Sequence, residues 1–304
     1  MIDFKHISVD DREEYEKLLF ADTAGRGCEF SFANLYLWGR QTIARAHGCI
    51  LTFSQFDRRS VYPFPLGDGD VVAAVNAVIK DSVERGIPCR ITGIRPEQRE
   101  LMERCFSGRF RFQSDRGSYD YVYSIGDLAE LSGKKYDGKR NHINKFKKKY
   151  PNYRVESICE ANIDSAIAMV NEWFESKLSA DPDSDFHMEK AAIARAFRDY
   201  DPLGLEGLVL FADNKAVALT MGSFLSPDTI DVHFEKALTG FDGAYAVINN
   251  EFAKYIREKY PEVKFLDREE DMGLEGLRRA KESYQPHHLV EKCWACLLED
   301  GCDY

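Results

Sequence analysis

The strongest constraint on the fold is a succession of elements that occurs twice, once on each side of Pro151. The first half opens at Ser8–Asp11, a capping-box spacing, ahead of a helix bearing Tyr15, Leu18 and Leu19. CILTFSQF and SVYPFPLG read as a strand pair, with prolines ending the second strand. Asp70 caps a helix with Val71, Val75, Val78, Ile79 and Val83 at helical spacing. CRITGI is a short strand, Pro96 starts a helix through Phe106, and RFRFQ and YDYVYS alternate as two strands. Beyond a basic helix over residues 136–150 and the break at Pro151, the order returns. YRVESI is a strand, and Asn162 caps a helix carrying Ile163, Ile167, Val170, Trp173, Phe174 and Leu178. LEGLVLFA, AVALTMGSF and TIDVHFEKA are three strands joined by turn residues. Ala244, Val247, Ile248, Phe252, Tyr255 and Ile256 mark an amphipathic helix. VKFLD is then a strand, Leu274 to Tyr284 a helix and HLVEKCWACLL a final strand. The halves agree in order and not in residue identity, which predicts a structural duplication with the basic helix near its seam.

At 304 residues, either half is large enough to bury a core. No uncharged apolar run approaches the ~18 residues of a membrane span. The opening MIDFKHISVDDREEYE lacks the cationic start and apolar stretch of a signal peptide. These features predict a cytoplasmic protein with no integral membrane association. Eight cysteines scattered through apolar segments predict reduced, buried thiols. Cys293 and Cys296 form a CxxC inside a strand-like run, without the second pair a zinc site wants, so no metal is expected. The net charge of −10 argues against indiscriminate nucleic-acid binding, yet residues 134–149 hold eight Lys/Arg against Asp137, a local +7. Such a strip is either a solvated helix face or one phosphate-binding face on an acidic body.

Titratable groups concentrate in HFEKALTGFDGAYAVIN (233–249) and DREEDMGLEGLRRAKESYQP (267–286). Asp267, Glu269, Glu270 and Asp271 crowd around Arg268 directly after the apolar VKFLD. Crowded carboxylates repel one another unless a cationic ligand, amine or partner side chain answers them. The alternative is the ordinary preference of acids for a helix N-terminus. His233 and Glu235 are two apart in a strand and so are expected on one face, with Asp267 at the end of the neighbouring strand.

FSFANLYLW (30–38), GKKYDGKRNHINKF (133–146), HFEKA and LDREEDMGLEGLRRAKESYQP together resemble the signature blocks of the phosphatidylglycerol lysyltransferase C-terminal-like family. The resemblance runs from about residue 30 to residue 286. It implies an α+β fold of two GNAT-like domains in tandem, with mixed, mostly antiparallel sheets flanked by helices. The implied boundaries are 1–132, a basic connecting helix at 133–151, and 152–304 carrying the site. It also implies chemistry resembling that of tRNA-dependent aminoacyl transferases, which move an aminoacyl or acyl group to an amine or hydroxyl acceptor.

In a GNAT-like fold the acyl group enters where the middle strand and the strand after the long helix splay, here TIDVHFEKA and VKFLD. Glu235 or His233 is then the candidate base, within reach of Asp267, which would bind or orient an amino group. Arg268, Glu269, Glu270, Asp271, Asn249, Lys281 and Tyr284 are the candidate substrate contacts. Lys139, Arg140, Lys145 and Lys147 are the candidate phosphate or tRNA contacts. CoA-using enzymes of this fold hold pyrophosphate at a Q/R-x-x-G-x-G/A turn. GFDGAY keeps Gly243 but places Gly240 and Tyr245 at the other key positions, so CoA is the weaker donor. Gly243 and Ala244 either line a donor site or make a tight turn. Two rival readings stay open: a CoA-dependent N-acyltransferase, and a non-catalytic protein whose degenerate site senses a small amino compound. FSFANLYLWG reads as packing core.

Overall fold

The periodicities of the first half become one mixed sheet, and those of the second half another. The computed structural model describes residues 1–22, 26–39, 41–56, 59–180 and 186–298. Strands β1 (Lys5–His6), β2 (Gln41–Ala46), β3 (Cys49–Phe56), β4 (Arg59–Pro63), β5 (Arg90–Ile94) and β6 (Phe110–Ser114) belong to the first sheet. Helices α1 (Arg12–Ala21), α2 (Phe32–Leu37), α3 (Val71–Arg85) and α4 (Pro96–Cys105) lie between them in sequence. The Asp70 side chain accepts from the Ala73 amide at 2.9 Å, the cap expected for α3. Phe30, Phe32, Leu35 and Leu37 of the aromatic block are buried core.

The chain continues as β7 (Asp120–Ser124), α5 (Ile125–Glu130), the basic α6 (Asp137–Lys149), β8 (Arg154–Ser157), α7 (Ile163–Ala180) and α8 (His187–Arg198). Then follow β9 (Glu206–Ala212), β10 (Lys215–Ser226), β11 (Thr229–Ala237), α9 (Ala244–Lys259), β12 (Phe265–Asp267) and α10 (Glu275–Glu282). The run expected as one final strand is two, β13 (His288–Val290) and β14 (Cys293–Leu297). The second sheet has the order β13-β7-β12-β11-β10-β9-β8, whereas β14 lies between β5 and β6 in the first, whose order is β1-β2-β3-β4-β5-β14-β6.

Two compact units result. Unit 1 comprises Met1–Asp120, Glu270–Arg278 and the chain from Leu289; unit 2 comprises Tyr121–Glu269 and Arg279–His288. These differ from a division at residues 132 and 152. Strand β7 serves the second sheet and β14 the first, and α6, read as a connector, belongs to unit 2. A sequence order cannot reveal such strand exchange, because a strand finds its sheet through non-local pairing. Among the described residues no helix is long and apolar enough to cross a membrane. The cysteine expectation needs correction. Cys105 and Cys159 are exposed, and Cys296 is disulfide-bonded, while Cys28, Cys49, Cys89 and Cys293 are buried thiols. Cys302 lies outside the described residues.

Candidate active site in the second unit

Strands β11 and β12 run parallel, with Thr229 opposite Phe265, Ile230 opposite Leu266 and Asp231 opposite Asp267. β12 ends there while β11 continues to Ala237, so the strands part in the region of Glu235 and Arg268. Side-chain direction in this region is set by a bulge. β11 pairs with β10 as Phe234 opposite Met221 and Val232 opposite Gly222, which leaves His233 as an extra residue. The extra residue reverses the alternation, so Glu235 and Asp231 point to opposite faces. Asp267 pairs with Asp231 and therefore lies on the face away from Glu235. The expected convergence of Glu235, His233 and Asp267 is thus corrected: counting two residues along a strand fixes a face only where no bulge intervenes.

On its own face, Glu235 is held from two sides. Arg268 Nη2 donates to Oε1 at 2.8 Å, and Asn249 Nδ2, on the second turn of α9, donates to Oε2 at 3.0 Å. The Arg268 guanidinium lies 4.8 Å from the Tyr284 ring centroid and 5.5 Å from that of Tyr123. Burial opposes its charge, but Glu235 and the two tyrosines outweigh burial and raise its pKa. Lys139 of α6 places Nζ 3.5 Å from the same Tyr284 centroid and donates to Ser283 Oγ at 2.7 Å. Burial, and then the neighbouring Arg268 charge, bring the Lys139 amine down to about 8, with Glu235 opposing. Burial pushes Tyr284 up to about 12. Two polar atoms of this group, Arg268 Nη1 and Asn249 Oδ1, are buried without a hydrogen-bond partner.

The opposite face carries His233. Its Nε2 is 2.8 Å from Ser223 Oγ, and its Nδ1 is 3.3 Å from Asp231 Oδ2 and 3.8 Å from Glu269 Oε1. Burial drives its pKa down to about 3, so the ring is neutral near pH 7 and far from the base role expected of it.

The four clustered acids disperse. Asp267 Oδ1 accepts from the Glu269 amide at 2.8 Å, and Glu269 turns toward His233. In unit 1, Glu270 accepts from Cys28 Sγ at 3.3 Å, and Asp271 binds Arg278 Nε at 2.7 Å and the Gly273 amide at 2.8 Å. Lys281 donates to the Arg268 carbonyl and, at 3.3 Å, to that of Glu269, bracing the loop after β12. Three of the four acids are thus met in the structure, Asp267 by a backbone amide, Glu270 by a thiol and Asp271 by an arginine and an amide, while Glu269 faces His233.

The basic helix packs against Gly243 of the GFDGAY turn. A side chain at Gly243, which has φ of 92°, would meet the His142 carbonyl oxygen of α6 at 2.5 Å and Phe146 Cβ at 3.1 Å. Ala244 is buried, and Phe241 packs 5.4 Å from Tyr150. Gly243 therefore lies against the basic helix, while Asp242 and Tyr245 beside it are exposed. The basic strip is partly consumed as well. Arg140 binds the Leu131 and Gly133 carbonyls and Asp137, Lys147 binds Glu251 at 3.3 Å, and Lys139 turns to Tyr284. Of the four expected contacts, Lys145 alone is fully exposed.

Unit 1 holds a cluster that sequence reasoning missed. Lys292 Nζ lies 2.9 Å from both oxygens of Asp120 and 2.6 Å from Glu29 Oε2, beside Cys28 Sγ at 3.9 Å. The Cys28 amide donates to Asp120 at 2.9 Å. Burial opposes the Lys292 charge, but Asp120 and then Cys28, Glu29 and Glu270 raise its pKa well above the usual value. A side chain at Gly27 would strike Asp120 at 2.8 Å and Lys292 at 2.9 Å, so only glycine leaves this room. Lys292 and Cys28 are 264 positions apart, and nothing in their local sequence announces the pairing.

Two mixed seven-stranded sheets, the second with parallel neighbours that part beside a buried polar cluster, define a tandem GNAT-like α+β protein. A tandem GNAT protein from the clavulanic acid biosynthesis pathway shares this fold at a TM-score of 0.53 and 9% identity, with 100% of each chain covered. The chain belongs to the phosphatidylglycerol lysyltransferase C-terminal family, whose pattern it matches over residues 20–296. A conserved protein of unknown function from Bacteroides thetaiotaomicron is similar at 36% identity and a TM-score of 0.91, covering 98% of this chain and 100% of that one. The L-PGS of Bacillus licheniformis shares the fold at 16% identity and a TM-score of 0.67, covering 96% and 93%. An uncharacterized protein of Mycoplasmoides gallisepticum is 20% identical over 176 residues, 58% of this chain and 55% of that protein, so the chain spans about half the length of this curated relative.

Proposed function

We propose that unit 2 is an aminoacyl or acyl transferase centre in which Glu235, Arg268, Asn249 and Lys139 hold the transferred group. A charged tRNA is the favoured donor and an amine or hydroxyl compound the acceptor. The observation that carries the proposal is the pair of buried atoms beside Glu235 without a partner, one a donor (Arg268 Nη1) and one an acceptor (Asn249 Oδ1). Leaving such atoms unpaired costs about 1–3 kcal/mol each, and a bound group with both an acceptor and a donor removes that cost. An aminoacyl ester has both, in its carbonyl oxygen and its amino group.

In the reaction, the acceptor nitrogen or oxygen attacks the ester carbonyl, a new C–N or C–O bond forms, and the bond to the tRNA ribose oxygen breaks. Arg268 Nη1 stabilises the oxyanion of the tetrahedral intermediate. Glu235 already accepts two hydrogen bonds and acts by fixing Arg268 and Asn249. Lys139, with a pKa of about 8, has a free-amine fraction near neutral pH and takes the acceptor's proton, which passes to the ribose oxygen as it leaves. Gly240 and Tyr245, which depart from the pyrophosphate-turn pattern, favour this donor class over CoA.

The test is transfer of a labelled aminoacyl group from a pool of charged tRNAs to a panel of amines and alcohols. Lys139→Gln and Arg268→Gln should each lower transfer by about 10²- to 10⁴-fold. Turnover of acetyl-CoA with no loss of label from tRNA would overturn the donor assignment. Full transfer by both variants would overturn the site.

A further inference from the structure

We propose that unit 2 binds a divalent metal ion of the Zn²⁺ or Mn²⁺ class between His233 Nδ1 and the carboxylates of Asp231 and Glu269, on the sheet face away from Glu235. The first support is the histidine itself. Its side chain is only 3% exposed, and its Nδ1 is buried without a hydrogen-bond partner. Ser223 occupies the other ring nitrogen at 2.8 Å. With the proton on Nε2, donated to Ser223, the Nδ1 lone pair faces Asp231 Oδ2 at 3.3 Å and Glu269 Oε1 at 3.8 Å. A lone pair aimed at carboxylate oxygens calls for a cation between them. A metal-ligating histidine ordinarily has its second nitrogen fixed by a neighbour in the way Ser223 fixes this one.

The second support is the backbone at Glu269. Its φ of 59° places a non-glycine residue in the left-handed region, where such residues are uncommon. Asp267 Oδ1 holds that turn by accepting the Glu269 amide at 2.8 Å, and the turn brings the Glu269 carboxylate back toward His233. Strain of this kind persists where surrounding structure imposes it, and it gathers at ligand-holding sites.

The third support is the donor set. One ligand atom from each of Asp231, His233 and Glu269 falls within a mutual 4.8 Å. Ligand bonds of about 2.0–2.2 Å around a central ion require only a modest contraction of that spread. Two carboxylates balance the charge of a dication, and imidazole with carboxylates suits Zn²⁺ and Mn²⁺. The comparable trio in unit 1, Cys28, Glu29 and Asp120, already encloses the Lys292 ammonium at 2.6–2.9 Å from its oxygens and has its cation in place.

The experiment uses the whole chain stripped with a chelator and titrated calorimetrically with Zn²⁺ and Mn²⁺, with Co²⁺ as a spectroscopic probe. The expected result is one saturable equivalent and a Co²⁺ spectrum free of thiolate charge transfer. Affinity should fall by at least about tenfold in Glu269→Gln, which keeps the size of the side chain, and in Ser223→Ala, which removes the partner on Nε2. No saturable binding would overturn the proposal, and so would unchanged affinity in Glu269→Gln. A thiolate-to-cobalt band would place the ion on Cys28 and overturn it equally.

Discussion

Lys292 in unit 1 and Arg268 in unit 2 are both buried cations held by carboxylates, yet their surroundings are finished differently. The Lys292 ammonium meets both oxygens of Asp120 and one of Glu29, and the Cys28 amide adds a donor to the same carboxylate. Around Arg268, Nη1 and the neighbouring Asn249 Oδ1 are left without partners, and a third polar group, Lys139, is pushed toward its neutral form. A closed network is what a core needs, because its members satisfy one another and exclude ligand. An open one is stable only with help, and the missing hydrogen bonds describe the group that would supply it. Charge and burial alone would rank the two clusters as equivalent; the unmet donor and acceptor separate them.

The largest effect expected from this contrast is on stability in unit 1. Lys292→Met leaves Asp120, Glu29 and Glu270 close together without their ammonium, and should lower the unfolding free energy by about 3–5 kcal/mol in a urea titration. A loss below about 1 kcal/mol would break the comparison, since the cluster would then not be a structural one. In unit 2 the corresponding change is milder. Glu235→Gln keeps an acceptor for Arg268 and should lower stability by only about 1–2 kcal/mol. A loss as large as that of Lys292→Met would make both clusters structural.

The smallest effect is a pH dependence at Lys139. Its folded pKa of about 8 lies below the ordinary lysine value of 10.5. Between those values the unfolded chain holds a proton that the folded chain has released, so folding gains stability as pH rises through the window. The melting temperature of the native protein relative to Lys139→Gln should therefore climb from about pH 8 to pH 10.5 and be level below pH 8. The half-exposed position keeps the change below about 1 kcal/mol. A flat difference across the window would place the amine in water and sharpen the site to Glu235, Arg268 and Asn249.

That TIDVHFEKA and VKFLD are strands was legible in their patterns, and their parting was what the family resemblance implied. Glu235, Asn249, Arg268 and Tyr284 were legible as members of one neighbourhood. Their partnerships were not. Asp267 looked like the natural companion of Glu235, and a single extra residue at His233 put the two on opposite faces. Glu270 and Asp271 looked like substrate contacts and instead serve Cys28 and Arg278.

What the sequence determined by itself is local: the order of helices and strands, the caps at Asp70 and Pro96, the aromatic core block and the blocks that mark the family. These follow from periodicity and backbone preference over a few residues, which need no knowledge of the rest of the chain. The tertiary structure alone decided that β14 crosses to the first sheet, that α6 packs against Gly243, and that Lys292 meets Asp120 and Cys28. Each of these depends on register or on contact between distant segments. A bulge of one residue, or the absence of one side chain at Gly27 or Gly243, leaves the local pattern almost unchanged while redirecting every neighbouring group.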